Sequence, residues 1–330
     1  MEKRKLQRTG GTSYTLTLPK DWIEENRLKE KDAVNISFYK NGVLSIHPLG
    51  TESAPRRTMD ISDMTLDEII RETIGLYIIG CEEINIVCKD IPRNIRTRIK
   101  QVSHTLVGLE LSEESSDKLT LKNILGNEKF SLGDSIEMMI SMSKSMLVDA
   151  MKALFEKDKE LARDIIERDD EADKIYFLIL RRVQSLLQGN ATEEDVGFSI
   201  IRASYYEKFA TQLERVADHG AKIAALTLGK DFSPPNRNFK KSADEVSGKL
   251  IRMLENLPHF INDINKREAH ETLRSISSLH KNIDLVYKKL GQNYTAETVI
   301  VCDSLHRIGG YISNVAEDAI DQSLLEDLKK

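Results

Sequence analysis

The sequence is most informative first in what it lacks. Only three cysteines occur in 330 residues, Cys81, Cys88 and Cys302. An odd number without ligand spacing excludes a disulfide framework and a cysteine-built zinc site, and leaves buried thiols as the expectation. No apolar run approaches the ~20 residues that cross a bilayer, and MEKRKLQR has no apolar stretch behind it of the kind a signal peptide needs. A cytoplasmic protein is expected. The chain also contains no HExxH, no Gly-x-Ser-x-Gly elbow and no Walker-type phosphate loop. The expectation is that it is not an enzyme.

What is present is unevenly distributed. The net charge is -5, yet residues 1–50 hold nine Lys/Arg against six Asp/Glu, while the rest holds 39 against 47. Lys3, Arg4, Lys5 and Arg8 crowd the start, where a strand or arm meets phosphates or is simply solvated. A chain of this length predicts two or three domains.

The first fifty residues predict a small β-rich unit. In SYTLTLP, Tyr14, Leu16 and Leu18 alternate with Ser13, Thr15 and Thr17, the period of a half-buried strand. A short helix is expected from Asp21. VNISFYKNGVLSIHP then predicts two strands about Asn41-Gly42, a dipeptide suited to a type I′ hairpin. So small a unit buries little by itself, so pairing with a second copy is expected.

The order basic strand, GGTSYTLTLPKDW, LKEKDAVNIS, NGVLSIHP resembles the AbrB/SpoVT (MazE-like) family of swapped-hairpin β-barrels, over about residues 3 to 48. The resemblance implies a homodimer that binds DNA through its basic N-terminal region. Carried over by position, Lys3, Arg4, Lys5, Arg8 and Lys20 would face phosphates, contacts that place a protein on DNA without reading its sequence. The alternative is that the barrel serves only to dimerise the chain.

Residues 55–130 predict a small α/β connector. RRTMDIS and EINIVC read as strands, TLDEIIRETIGLYIIG and IPRNIRTRIKQVSHTLVG as helices, and DKLTLKNIL as a last strand. His104 has no partner in the pattern, and no chemistry is assigned to this part.

From Leu132 the pattern is helical. Ile136, Ile140, Ser143, Leu147, Ala150 and Leu154 recur by four and three, the spacing of a bundle seam. Five further segments follow, at about 159–188, 193–228, 240–265, 267–291 and 296–328. GKDFSPPN, from Gly229 to Asn236, splits the six into two threes, 132–230 and 238–330. The threes repeat: LERVADHGAKIA, from Leu213, aligns without gaps on LHRIGGYISNVA, from Leu305, and Ala172-Asp173 aligns on Ile283-Asp284.

One charge pattern stands out in the first repeat. Asp169 and Asp173 are one helical turn apart, as are Glu214 and Asp218 on the next long helix, and both pairs flank the apolar stripe. Brought together, four carboxylates raise one another's pKa unless a cation lies between them, and oxygen ligands suit Mg, Mn, Ca or iron. The alternative is ordinary surface pairing with Arg215 or Lys174. His219 is expected to orient toward a neighbouring carboxylate. Its place five residues after Glu214 departs from the Glu-x-x-His of carboxylate-bridged metalloenzymes.

DDEADKIYFL followed by LERVADHGAKIA resembles the PhoU family of phosphate-signalling proteins, over about residues 132 to 328. The resemblance implies two three-helix repeats, metal bound on the bundle surface by Asp169, Asp173, Glu214 and Asp218, and a brake on a phosphate ABC transporter. The cofactor would be a divalent or trivalent metal ion: iron, zinc, manganese or magnesium. The second repeat departs from this, with His280, His306 and Gly310 where the first has Asp169, Glu214 and Asp218, and only Asp284 still acidic. Those histidines either hold a different metal or pack. Lys222 stands where the family pattern has the Asn that Asn314 retains.

Together the resemblances imply a mainly α protein in three parts, a barrel at 1–50, a connector at 55–130 and the repeats at 132–330. Its implied function is phosphate-uptake regulation joined to DNA binding, in an arrangement resembling archaeal members of the family. The implied partners are DNA, phosphate ABC transporter components at the membrane surface, and a second copy of the chain. The alternatives are a structural dimeric adaptor without DNA or metal, and a carboxylate-bridged metalloenzyme.

Overall fold

In the computed structural model the described residues are 3–38, 42–48, 55–124, 131–230, 237–263, 265–290 and 295–328. Asn41 of the expected turn, and all of the GKDFSPPN break beyond Lys230, lie outside them. The chain forms two compact units, Met1–Pro55 and Arg56–Lys330.

The first unit is two hairpins and a helix. β1 (Gln7–Thr9) pairs antiparallel with β2 (Ser13–Thr15), setting Arg8 opposite Tyr14. The strand expected to run to Leu18 stops pairing at Thr15, because its partner is only three residues long before the turn at Gly10, whose φ is 67°. Pro19 precedes α1 (Lys20–Glu25), where a missing N–H costs nothing. β3 (Val34–Phe38) pairs antiparallel with β4 (Leu44–Pro48). No described residue of this unit is buried. Leu6, Tyr14, Ile36 and Val43 are at least half open to solvent.

The second unit begins with an α/β layer: β5 (Arg56–Asp60), α2 (Leu66–Ile78), β6 (Glu83–Val87), α3 (Arg93–His104), β7 (Leu109–Glu114) and β8 (Lys118–Asn123). The sheet order is β5-β6-β8-β7, with β5 parallel to β6 and the other pairs antiparallel. α2 makes the crossover that a parallel pair requires, and its start is fixed by a capping box between Thr65 and Glu68. Ile69, Tyr77, Ile84, Ile86, Ile99, Leu119 and Leu121 form the core of the layer. The helix expected to run through Gly108 ends at His104, and β7 follows where no strand was expected. LELSEE has little strand character of its own; β8 supplies the partner and Gly108, at φ 81°, the turn.

Then come the helices: α4 (Leu132–Glu156), α5 (Lys159–Leu187), α6 (Glu193–Val196), α7 (Ile200–Leu226), α8 (Arg237–Asn262), α9 (Lys266–Leu290) and α10 (Ala296–Asp327). α4 ends on Lys157 in the left-handed region, and Asp158 caps α5 at once, so the two helices turn back tightly. The single segment expected over 193–228 is two helices. Gly197, at φ 85°, breaks it, and Ser199 recaps α7.

One core joins both repeats, running through Leu147, Leu154, Phe209, Leu213, Leu250, Leu257 and Ile308. Ser143, buried on α4, donates to the carbonyl of Leu213 on α7 at 2.9 Å, tying the two helices beside Glu214. The repeats meet along α7 and α10. Their aligned residues His219 and Tyr311 face each other with ring centroids 5.7 Å apart.

Candidate functional site

The four acids singled out by spacing come to one corner of the first repeat. Asp169 and Asp173 project from α5, Glu214 and Asp218 from α7. Ala172, Leu213 and Ala217 are buried beneath them and let the helices approach. Asp169, Asp173 and Glu214 are half-buried, and Asp218 is exposed. Asp169 is pushed up to about 7, by loss of water first and then by Asp218 and Asp173. Asp173 is pushed up to about 6 by burial, Asp218 and Asp170. Glu214 rises to about 7 through burial, then Asp218 and Asp173, with Arg215 pulling the other way. Asp218 is raised as well, by partial desolvation against the pull of Arg215.

The side chains expected to neutralise these acids have other contacts, and Arg215 alone still acts on Glu214 and Asp218. Arg215 lies over the Tyr311 ring, 5.7 Å from its centroid. Lys174 pairs with Glu171 at 2.7 Å. Lys222 reaches Asp303 on α10 at 3.9 Å instead of entering the corner. His219 is not held by a carboxylate: its ring lies against Tyr311, and its buried Nδ1 has no hydrogen-bond partner among the described residues. The packing of α7 on α10, which spacing along α7 does not show, turns it away.

The corner is a field of like charge more than a closed coordination shell. Among the described residues, no three His, Cys, Asp or Glu side chains are arranged to hold a metal ion. The donor set is all oxygen, the chemistry that hard cations prefer.

The matching corner of the second repeat has different chemistry. His280 on α9 and His306 on α10 lie ring against ring, so the histidines pack on each other. Asp284 and His306 are exposed, and Gly310 contributes no side chain.

In the N-terminal unit Lys3, Arg4, Lys5, Arg8 and Lys20 are all exposed. Arg4 lies within 3.5 Å of the Thr17 hydroxyl, Arg8 donates to the Gly11 carbonyl at 2.6 Å, and Lys20 pairs with Glu24 at 3.3 Å.

Two features escaped the reading by pattern. A cleft of about 650 Å³ opens between the α/β layer and α5, lined by Ile74, Arg98, His104, Asp170, Asp173 and Phe177 among others. His104, solitary in sequence, thus faces the same space as Asp173. Further along α5, Arg181 donates to the carbonyls of Tyr77 and Cys81, pairs with Glu82 and covers the Tyr77 ring at 4.8 Å. Gln188 donates to the Ile79 carbonyl at 3.1 Å. The helix that carries half of the acidic corner is therefore bolted to the α/β layer. About a hundred residues separate the partners in sequence, so no local pattern marks them.

Comparison with known proteins bears on both ends of the chain. Residues 136–227 match the family model described as PhoU domain, and this stretch holds all four acids. Residues 7–52 match the model described as antidote-toxin recognition MazE, bacterial antitoxin. The chain is similar to the phosphate-specific transport system accessory protein PhoU homolog of Clostridium acetobutylicum, with 26% identity over 190 residues, 54% of this chain and 85% of that protein. Two crystal structures share its fold. The phosphate transport system regulatory protein PhoU from Streptococcus pneumoniae aligns with TM-score 0.50 and 20% identity, over 57% of this chain and 91% of that one. PhoU from Pseudomonas aeruginosa aligns with TM-score 0.50 and 18% identity, over 57% and 93%.

Proposed function

The chain carries a PhoU domain behind a MazE-type N-terminal domain, and from that premise we propose that it regulates phosphate uptake and phosphate signalling. In this reading the helical unit acts on components of a phosphate ABC transporter at the membrane surface. The acidic corner takes a multivalent metal ion. The N-terminal unit pairs with a second copy and touches DNA.

The observation that carries the reading is the corner itself. Four carboxylates on α5 and α7, three of them pushed up to about 6 or 7, are offset only in part, by the pull of Arg215 on Glu214 and Asp218. Groups so placed hold protons near neutrality or accept a cation. Asp169, Asp173, Glu214 and Asp218 would hold the metal, which would supply the positive charge on which they converge. Oxygen donors alone favour magnesium, manganese or iron over zinc. The absence of a preformed shell means the side chains must turn to close on it.

The test is elemental analysis of full-length protein purified without a chelating tag, beside a Glu214→Ala, Asp218→Ala double variant. Manganese or magnesium at about a hundred times its dissociation constant should stabilise the wild type by about 2.7 kcal/mol. The variant should show no such gain. No bound metal and no stabilisation in either protein sinks the metal reading and leaves the acids as a partner-facing surface.

DNA contact is tested by the salt dependence of binding. Each phosphate contact contributes about 0.9 to the log-log slope, so Lys3→Ala with Arg4→Ala should flatten it. An unchanged slope favours the second reading, a dimeric adaptor. That reading draws on the lack of any buried residue among those described in the first unit, and on Arg8 and Lys20 being engaged within the chain.

A further inference from the structure

In the second repeat two imidazole rings occupy the corner that carboxylates occupy in the first. His280 and His306 stack with centroids 3.9 Å apart and planes 15° from parallel. The Nε2 of His280 lies 3.1 Å from the backbone carbonyl of His306. A carbonyl only accepts, so this nitrogen carries the proton and donates it. Gly309 makes the room. A Cβ there would stand 2.8 Å from that Nε2 and 3.7 Å from Ile276 Cγ2, and the aligned residue of the first repeat is Ala217.

Stacking of this kind suits neutral rings or a single shared charge. Two imidazolium ions in ring contact repel, and the half-buried position of His280 weakens the screening that water gives. Burial and the His306 ring together hold His280 below its ordinary value, while the hydrogen bond to the His306 carbonyl and then Asp284 on its own helix oppose them. From α10 the acting group is His306; Arg307 and Asp303 nearby pair with each other at 3.2 Å. No charged group of α8 acts on His280 among the described residues.

We propose that the His280–His306 stack is a proton-operated latch on the seam between α9 and α10, closed while the pair holds at most one added proton and released when both rings are charged. The direction follows from linkage. A base whose folded value is depressed contributes stability that is complete above its unfolded value, about 6.5, and is lost as pH falls through the folded value. The first repeat responds in the opposite sense, because its raised carboxylates shed their mutual repulsion as pH falls.

The experiment uses the full chain from about pH 7.5 to about pH 5, following the imidazole protons by NMR and amide hydrogen exchange along α9, corrected for the intrinsic rate. The two rings should titrate as a coupled pair, in two macroscopic steps. On the second step α9 protection should fall about three- to tenfold, the factor carried by roughly half to one unit of coupling. His306→Gln removes one charge. Gly309→Ala keeps both histidines but pushes the His280 ring out of the stack, at little cost because only a side-chain end must move. His306→Gln should leave His280 titrating in one step, still held low by burial, Gly309→Ala should bring it near its ordinary value, and both should lose less α9 protection than the wild type. Rings that titrate independently in the wild type, or the same loss of α9 protection in both variants, would overturn the proposal.

Discussion

The two repeats place opposite chemistry at equivalent corners. On α5 and α7 the first has four carboxylates that Arg215 answers only in part; on α9 and α10 the second has two imidazoles that answer each other. Duplication preserved the apolar stripe, since Leu213 and Leu305, or Ala224 and Ala316, are alike buried. The rim diverged while this packing was kept. Packing is therefore common to the halves, and charge is what distinguishes them.

The largest break in this comparison should come from Arg181, which has work only in the first repeat. Arg181→Ala removes hydrogen bonds to Tyr77 and Cys81, the pair with Glu82, and a ring contact, in a side chain only 12% exposed. The expected cost is about 3 kcal/mol in urea unfolding, with the α/β layer losing exchange protection first. A cost below about 1 kcal/mol would mean that the layer docks on α5 through Phe177 and its apolar neighbours alone.

A smaller effect separates the corners by pH. The carboxylates of the first repeat have folded values above their unfolded ones, so their contribution is complete below about pH 4 and is lost as pH rises through about 6 to 7. Metal-free Asp169→Asn, Asp218→Asn protein should gain about 1 kcal/mol over wild type at neutral pH, a figure kept low for solvent screening, and gain nothing in acid. Equal stabilities at all pH values would show that the acids are too well hydrated to repel.

The smallest expected effect comes from making one corner more like the other at Lys222. Lys222→Asn gives the first repeat the residue that the second has at Asn314, and loses only a 3.9 Å contact with Asp303. Stability should change by less than about 0.5 kcal/mol. Metal affinity, read by titration calorimetry, should stay within about twofold, less than 0.5 kcal/mol. A clear gain in affinity would show that the lysine does compete for the corner.

Much of this molecule was legible in its sequence, for physical reasons that can be named. Six long helices followed from the apolar period, and the paired acids from one-turn spacing, because both are properties of a single helix. The α6 break at Gly197 was missed because EEDVGFS continues a helical polarity pattern, and only the positive φ shows the chain turning. β7 was missed because a partner strand, not its own residues, makes it a strand. Arg181, the cleft at Asp173 and the stacking of His280 on His306 all depend on which element lies opposite, which a one-turn spacing does not specify. The residues expected to face DNA rest on charge and resemblance: each is exposed, and Arg4, Arg8 and Lys20 have partners within their own unit.

That no described residue of the first unit is buried bears on how much of this protein a cell makes. An element without an interior of its own folds only as it assembles, so its folded fraction follows protein concentration by mass action. The helical unit, with its shared core, is indifferent to dilution. On the dimeric reading the chain thus joins a part that is always present to one that appears only above a threshold abundance, and copy number itself becomes a signal the protein reads.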